Sequence, residues 1–263
     1  MNTKSPSLAS MPTEKTAWLE SWYERLGFHE SREYLQTVAT WRAKWRPKCV
    51  RFLLLAESHV AERPGDIDTA VSLPTSINKD LLLPQGFCRL VYCLGYGEND
   101  ICRIAPSTNG GTWQFWDLFG AVARGLDGTI PAQMPRRVKS CCEKTLALRL
   151  AWKLKVLNTL SKAGVWLEDA SVIGLYAGGN TRRIKGRDYK QLLRESFQRF
   201  VWPGVIHDNP KQVWVIGRRV GRALAGLPSI DERRVVSQPQ DRDVRRYQNG
   251  LARLVREVTR TLA

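Results

Sequence analysis

Residues 50–56, VRFLLLA, form an apolar run interrupted only by Arg51, and the run ends abruptly on Glu57, Ser58 and His59. A run this long without polar alternation fits a strand buried on both faces, the situation of strands in a parallel sheet. Three further segments carry the same signature: ASVIGLY at 170–176, QVWVIG at 212–217 and RRVVS at 233–237. Helical patterns separate them, over 109–126, 143–163, 188–202 and the stretch RRVGRALAGL that follows 217. Thr112 is placed to cap the first of these, Gly164 to end the second, and Pro203 with Gly204 to end the third. Strands alternating with helices predict an α/β fold, a three-layer αβα sandwich around a central four-stranded, mostly parallel sheet.

The flanks are simpler. Residues 1–13 are polar and read as a flexible tail, with 14–263 as one α/β domain that includes a helical addition at about 14–47. WLESWYERL (18–26) and REYLQTVATWRAKW (32–45) supply its helices, and Pro47 stops the second. Residues 60–86 read as a long loop and 87–99 as a segment with an extended piece. At the C-terminus, Val244, Tyr247, Leu251, Leu254, Val258 and Leu262 line one face of a last helix.

In sheets of this kind the binding site lies outside the carboxyl ends of the strands. Here those ends hold AESH, LYAGGN, IGRR and SQPQ, a set of carboxylate, glycine, arginine and amide groups. Forty-one Lys and Arg face 25 Asp and Glu, for a net charge of +16, which predicts a polyanionic partner, nucleic acid above all. The six cysteines form no CxxC pair and no apolar leader precedes the domain, so reduced thiols and a cytoplasmic location are expected, without a membrane span. Among the three histidines no pair has the helical spacing of metal ligands, so neither a metal nor another cofactor is expected.

The order of these segments resembles the uracil-DNA glycosylase superfamily over about residues 48–263. AESHV (56–60) stands where that family has forms such as GEAPG, VWVIGRRVGRAL (213–224) is similar to its late strand and helix, and VVSQPQDRD (235–243) stands where it has HPSP. The resemblance implies a monofunctional DNA glycosylase acting alone on double-stranded DNA, flipping a base and hydrolysing its N-glycosidic bond. Ser58 holds the position of the family's Asp, and Gln238 that of its motif histidine. With the long segment after the first motif, these changes imply a base other than plain uracil. A bulky modified pyrimidine such as the glucosylated hydroxymethylcytosine of phage DNA, and with it an antiviral role, is one such substrate.

That chemistry needs a carboxylate or amide to position water, donors for the departing base, and an aromatic ring to stack on it. Glu57 is the candidate for the first part. Ser58 is either a donor to base or water or a turn-forming serine, and His59 either contacts an oxyanion or phosphate or has no role. Phe87 is the candidate stacking ring, although a single Phe is ordinarily core. Trp113, Phe115, Trp116 and Phe119 read as core supplied by one helix, with bordering the pocket the alternative for Trp113. Asn180 and Gln238 are candidate base readers. Arg182, Arg183, Lys185, Arg187, Arg218 and Arg242 are candidate DNA contacts, although a charge run is commonly just a solvated face. Glu62, on the following turn, is a secondary carboxylate candidate, with simple solvent exposure the favoured reading. A competing class, a nucleic-acid binder without catalysis on the same fold, remains open at this point.

Overall fold

A computed structural model describes residues 13–74, 77, 82–135, 142–177, 181–182, 184–238 and 243–262. The tail expected at 1–13 lies, but for its last residue, outside them. Strand β1 (Phe52–Ala56) is buried along its whole length. It pairs in parallel with β2 (Val165–Asp169) on one side and β5 (Gln212–Ile216) on the other. Beyond β5 lies the short β6 (Val235–Val236), also parallel, so the order is β2-β1-β5-β6. Tyr176–Ala177 (β3) and Thr181–Arg182 (β4) form a separate antiparallel pair. The apolar runs thus become the inner strands, and a parallel sheet is the arrangement that buries both their faces.

Helices flank the sheet, which is the middle layer of three. Helix α3 (Trp113–Leu126) packs on α4 (Cys142–Ala163) and on α8 (Val244–Leu262), while α5 (Gly186–Ser196) packs on α7 (Arg218–Leu224). At the turn from α4 to β2, Gly164 has φ +83°, and a Cβ there would lie 2.7 Å from the Cys49 carbonyl oxygen. Its own carbonyl accepts from the N–H groups of Arg51 and Phe52 at 2.8 and 3.0 Å, which sets β1 beside β2. The fold therefore matches the predicted α/β sandwich, with four parallel strands.

Helices α1 (Thr13–Leu26) and α2 (Arg32–Lys44) contribute buried residues to the same apolar core as the sheet. The indoles of Trp18 and Trp22 donate to Glu195 on α5 at 2.8 and 3.2 Å. Arg42 of α2 pairs with Glu168 at 2.8 Å and with Asp169 at 2.5 Å.

Those last contacts explain a correction. The second strand lies at Val165–Asp169 and not at 170–176. VWLED hides its strand character behind two acids, with both of which Arg42 pairs. Ile173 and Leu175 are fully buried all the same, in a turn where the Ser171 hydroxyl donates to the Ile173 carbonyl at 2.8 Å. Two more expectations change. The helix expected to stop at Pro203 continues, through a π-helical segment at Phe197–Val201, into α6 (Trp202–Asp208), where Pro203 occupies the first turn. The Trp202 N–H still donates to the Phe197 carbonyl across the π-helical segment, and Pro203, which has no N–H to place in the ladder, follows directly on it. The 87–99 segment holds no strand among the described residues; it is a series of buried turns leading to a 3-10 turn at Asn99–Ile101. No helix is long and apolar enough to cross a membrane among the described residues.

Candidate active site at the carboxyl end of the sheet

The chain leaves β1 toward β2 and returns across it to β5, so the sheet's direction of travel reverses between β1 and β5. In such sheets a crevice opens at the carboxyl ends on either side of the reversal. A cavity of about 620 Å³ lies at this end, and Glu57, the residue after β1, is in its wall. That volume is within the range of small-ligand sites.

Glu57 is 4% exposed, and its Oε2 accepts a hydrogen bond from the Tyr176 hydroxyl at 2.6 Å. Tyr176 is brought there by backbone. Val60 and Tyr176 form a parallel bridge, and the Ala61 N–H donates to the Tyr176 carbonyl at 2.9 Å. Gly174 makes this approach possible, since a Cβ on it would lie 2.6 Å from the Ala61 backbone. Ser58 also faces the cavity, and its hydroxyl donates to the His59 carbonyl at 2.8 Å and accepts from the Leu175 N–H at 3.0 Å. Its hydrogen bonds hold the turn, as the turn-forming reading of Ser58 expects.

His59 does not line the cavity. It is 3% exposed, and its Nε2 lies 2.9 Å from Oε1 of Glu30. Glu30 is fully buried and also accepts from the Gly174 N–H at 2.8 Å and the Glu62 N–H at 3.3 Å. Imidazole and carboxylate thus tie the segment before α2 to the segment after β1. Glu62 is not a free surface group either: it accepts from the Ser31 N–H at 2.6 Å and the Ser31 hydroxyl at 2.9 Å, at the start of α2.

The rest of the wall comes from distant segments. Gln238, two residues past β6, lines the cavity. Gly217, at the end of β5, has φ +108°, and a Cβ on it would lie 3.2 Å from the Gln238 side chain. Phe87 is corrected: it is 1% exposed, stands edge-on to Tyr96 with ring centres 6.4 Å apart, and belongs to the core. The rings on the cavity are Tyr96, Trp113, Phe115 and Tyr176. Trp113, 63% exposed, is the one most open to solvent.

The loop before α3 completes the enclosure. Asn109 accepts from the Gly97 N–H at 2.7 Å and donates to the Gly95 carbonyl at 2.8 Å. Gly97 and Gly111 nearly touch, and a Cβ on Gly111 would lie 2.9 Å from the Gly97 Cα. Arg89, also on the wall, binds Asp66 through two 2.7 Å hydrogen bonds and donates to the carbonyls of Ser107 and Thr108 at 3.0 and 3.1 Å. Sequence reading missed Arg89, Asn109, Tyr96 and Tyr176. The glycine pair beside Asn109 was the one local signal available.

A second concavity, about 600 Å³, lies between α7 and α8 and is lined by Arg218, Arg222, Arg246, Arg253 and Arg256, with Glu232. Ser237 faces this groove and Gln238 faces the Glu57 cavity, so the segment leaving β6 separates the two. Arg218 is thus a groove residue. Lys185 and Arg187 are exposed around the start of α5. Asn180, Arg183, Arg242 and the side chain of Arg182 lie outside the described residues. Among the described residues no group of three or more His, Cys, Asp or Glu is placed to hold a metal ion. No protein-family model matches the chain, and neither a curated protein nor a solved structure matches it.

Proposed function

We propose that the chain is a DNA glycosylase that binds a flipped, modified base in the Glu57 cavity and hydrolyses its glycosidic bond. The observation that carries the reading is a nearly buried carboxylate opening on an aromatic-lined cavity, one short segment away from an arginine-lined groove. In this scheme DNA phosphates lie along the groove, and the flipped nucleotide crosses the β6 end into the cavity. Glu57 holds the water, takes up its proton as the oxygen bonds to the anomeric carbon, and stabilises positive charge on the sugar. Tyr176 fixes the rotamer of that carboxylate. The bond from sugar to base breaks with its electrons on the base, and the Gln238 amide is the side chain on hand to donate to it. Trp113 and Phe115 supply faces for stacking. A cavity of about 620 Å³ suits a bulky modified pyrimidine better than uracil, which would leave most of it to water.

The test is abasic-site formation on a panel of DNAs carrying uracil, hypoxanthine, hydroxymethylcytosine or glucosylated hydroxymethylcytosine, read by alkaline cleavage. Cleavage of one member, lost in Glu57→Gln while DNA binding persists, is the expected result. The hydrogen bonding of Ser58 favours a second reading, a nucleic-acid binder without catalysis, because that hydroxyl is committed to the backbone. Silence across the panel with salt-sensitive binding intact decides for it.

A further inference from the structure

Behind the loop at 110–113 lies a separate chamber of about 280 Å³, with Glu98, Arg149 and Lys153 in its wall. All three are buried. Arg149 binds Glu98 through Nη2 at 2.5 Å and Nε at 3.1 Å, and Lys153 Nζ binds it at 2.9 Å. Two cations therefore share one carboxylate, and no other described acid pairs with either. A buried excess of positive charge is costly unless something neutralises it. Burial lowers the Lys153 ammonium below the ordinary lysine range, and Glu98 only partly offsets this.

Two buried polar atoms of the same chamber wall have no hydrogen-bond partner among the described residues: Nη1 of Arg149 and the hydroxyl of Thr112. Thr112 is the N-cap residue of α3, a helix of 14 residues. Its side chain makes no capping bond, and the first turn of α3 carries no acidic residue. The first-turn N–H groups of such a helix carry partial positive charge and favour an anion. One unpartnered guanidinium nitrogen, one unpartnered hydroxyl, a helix start without a side-chain cap and an excess of positive charge lie on this one wall.

We propose that this chamber is a phosphate site, in which the oxyanion is held by Arg149, the Thr112 hydroxyl and the first N–H groups of α3. A tetrahedral oxyanion can accept from these separate elements at once. The chamber shares Tyr96, Gly110, Gly111, Thr112 and Trp113 with the Glu57 cavity, so occupancy would set the position of that cavity's wall. The proposal is independent of what reaction the cavity performs. The phosphate has two sources to separate, the free ion and the terminal phosphate of a nucleic acid strand.

The experiment is calorimetric titration of the whole chain with inorganic phosphate against chloride at matched ionic strength, repeated on Arg149→Gln and Thr112→Val. Arg149→Gln leaves Glu98 paired with Lys153, and Thr112→Val removes only one hydroxyl. Saturable binding weakened roughly tenfold to a hundredfold by Arg149→Gln, and about fivefold by Thr112→Val, is the expected result. Absence of saturable binding to the unaltered chain overturns the proposal, whatever the variants do. Unchanged affinity in both variants also overturns it. Competition from a 5′-phosphorylated oligonucleotide, but not its 5′-hydroxyl twin, assigns the site to a strand terminus, and no competition from either assigns it to the free ion.

Discussion

Two carboxylates flank the segment that leaves β1, and both are buried. Glu30 is saturated from within: His59, the Gly174 N–H and the Glu62 N–H converge on it, and the space it borders holds about 20 Å³. Glu57 receives the Tyr176 hydroxyl and opens on a cavity of about 620 Å³. The two pay for desolvation differently. The His59 ring and two backbone N–H groups compensate the first, which makes it a joint between elements. The second lines a cavity, which is what the proposed reaction asks of its carboxylate.

The largest expected effects come from breaking each in turn. Glu57→Gln keeps the shape and the hydrogen bond from Tyr176, so stability should change by less than about 1 kcal/mol. Base release should fall by roughly 10²–10⁴-fold, measured as single-turnover abasic-site formation. Glu30→Ala should do the reverse. It strands His59 and two backbone N–H groups in the interior, at a cost of about 3–5 kcal/mol in urea unfolding. Activity per folded molecule should stay within a few-fold. If Glu30→Ala instead unfolds normally and loses activity, the division between the two carboxylates is wrong.

The sequence showed one of the pair and not the other, for a physical reason. Glu57 was visible because a contiguous apolar run ends on it. Glu30 lies in a short polar connection, and its role depends on Gly174 and His59, which only folding brings together. The same division runs through the fold. Strands β1 and β5 announce themselves through unbroken burial, whereas β2 carries Glu168 and Asp169, made tolerable by an arginine from α2. The apolar residues at 173 and 175 were buried as expected but in a turn, because burial alone does not distinguish a ladder from a packed bend. Phe87 is core, the ordinary reading for a single Phe, because position after a motif carries no information about which face of the core a ring joins.

Glu98 sharpens the comparison from a third side, since its compensation is ionic. Burial pushes its carboxyl up, but the hydrogen bonds and charges of Arg149 and Lys153 outweigh that and hold it below the ordinary glutamate value. A carboxyl depressed in the folded state contributes stability that is present above its unfolded value, near 4.5, and lost as pH falls through the folded one. Glu98→Gln should therefore destabilise by about 2–3 kcal/mol at pH 7. The gap to the unaltered chain should narrow as pH drops from about 5 to 3, in thermal melts across that range. A gap that stays constant with pH would mean that shape and not charge holds this site together.

The smallest expected effect tests whether Glu57 needs its tether. Tyr176 reaches the carboxylate only because Gly174 lets the two segments touch, and its hydroxyl is the described donor that fixes the rotamer. Tyr176→Phe keeps the ring on the cavity wall and removes one hydrogen bond, so stability should fall by about 1 kcal/mol. If the tether orients Glu57 toward water, single-turnover base release should drop about tenfold, equivalent to roughly 1.4 kcal/mol of barrier. Substrate affinity should hold, because the ring stays on the cavity wall and the proposed stacking faces, Trp113 and Phe115, are untouched. A loss of affinity with an unchanged chemical step would recast Tyr176 as a contact to the base and leave Glu57 oriented by other partners.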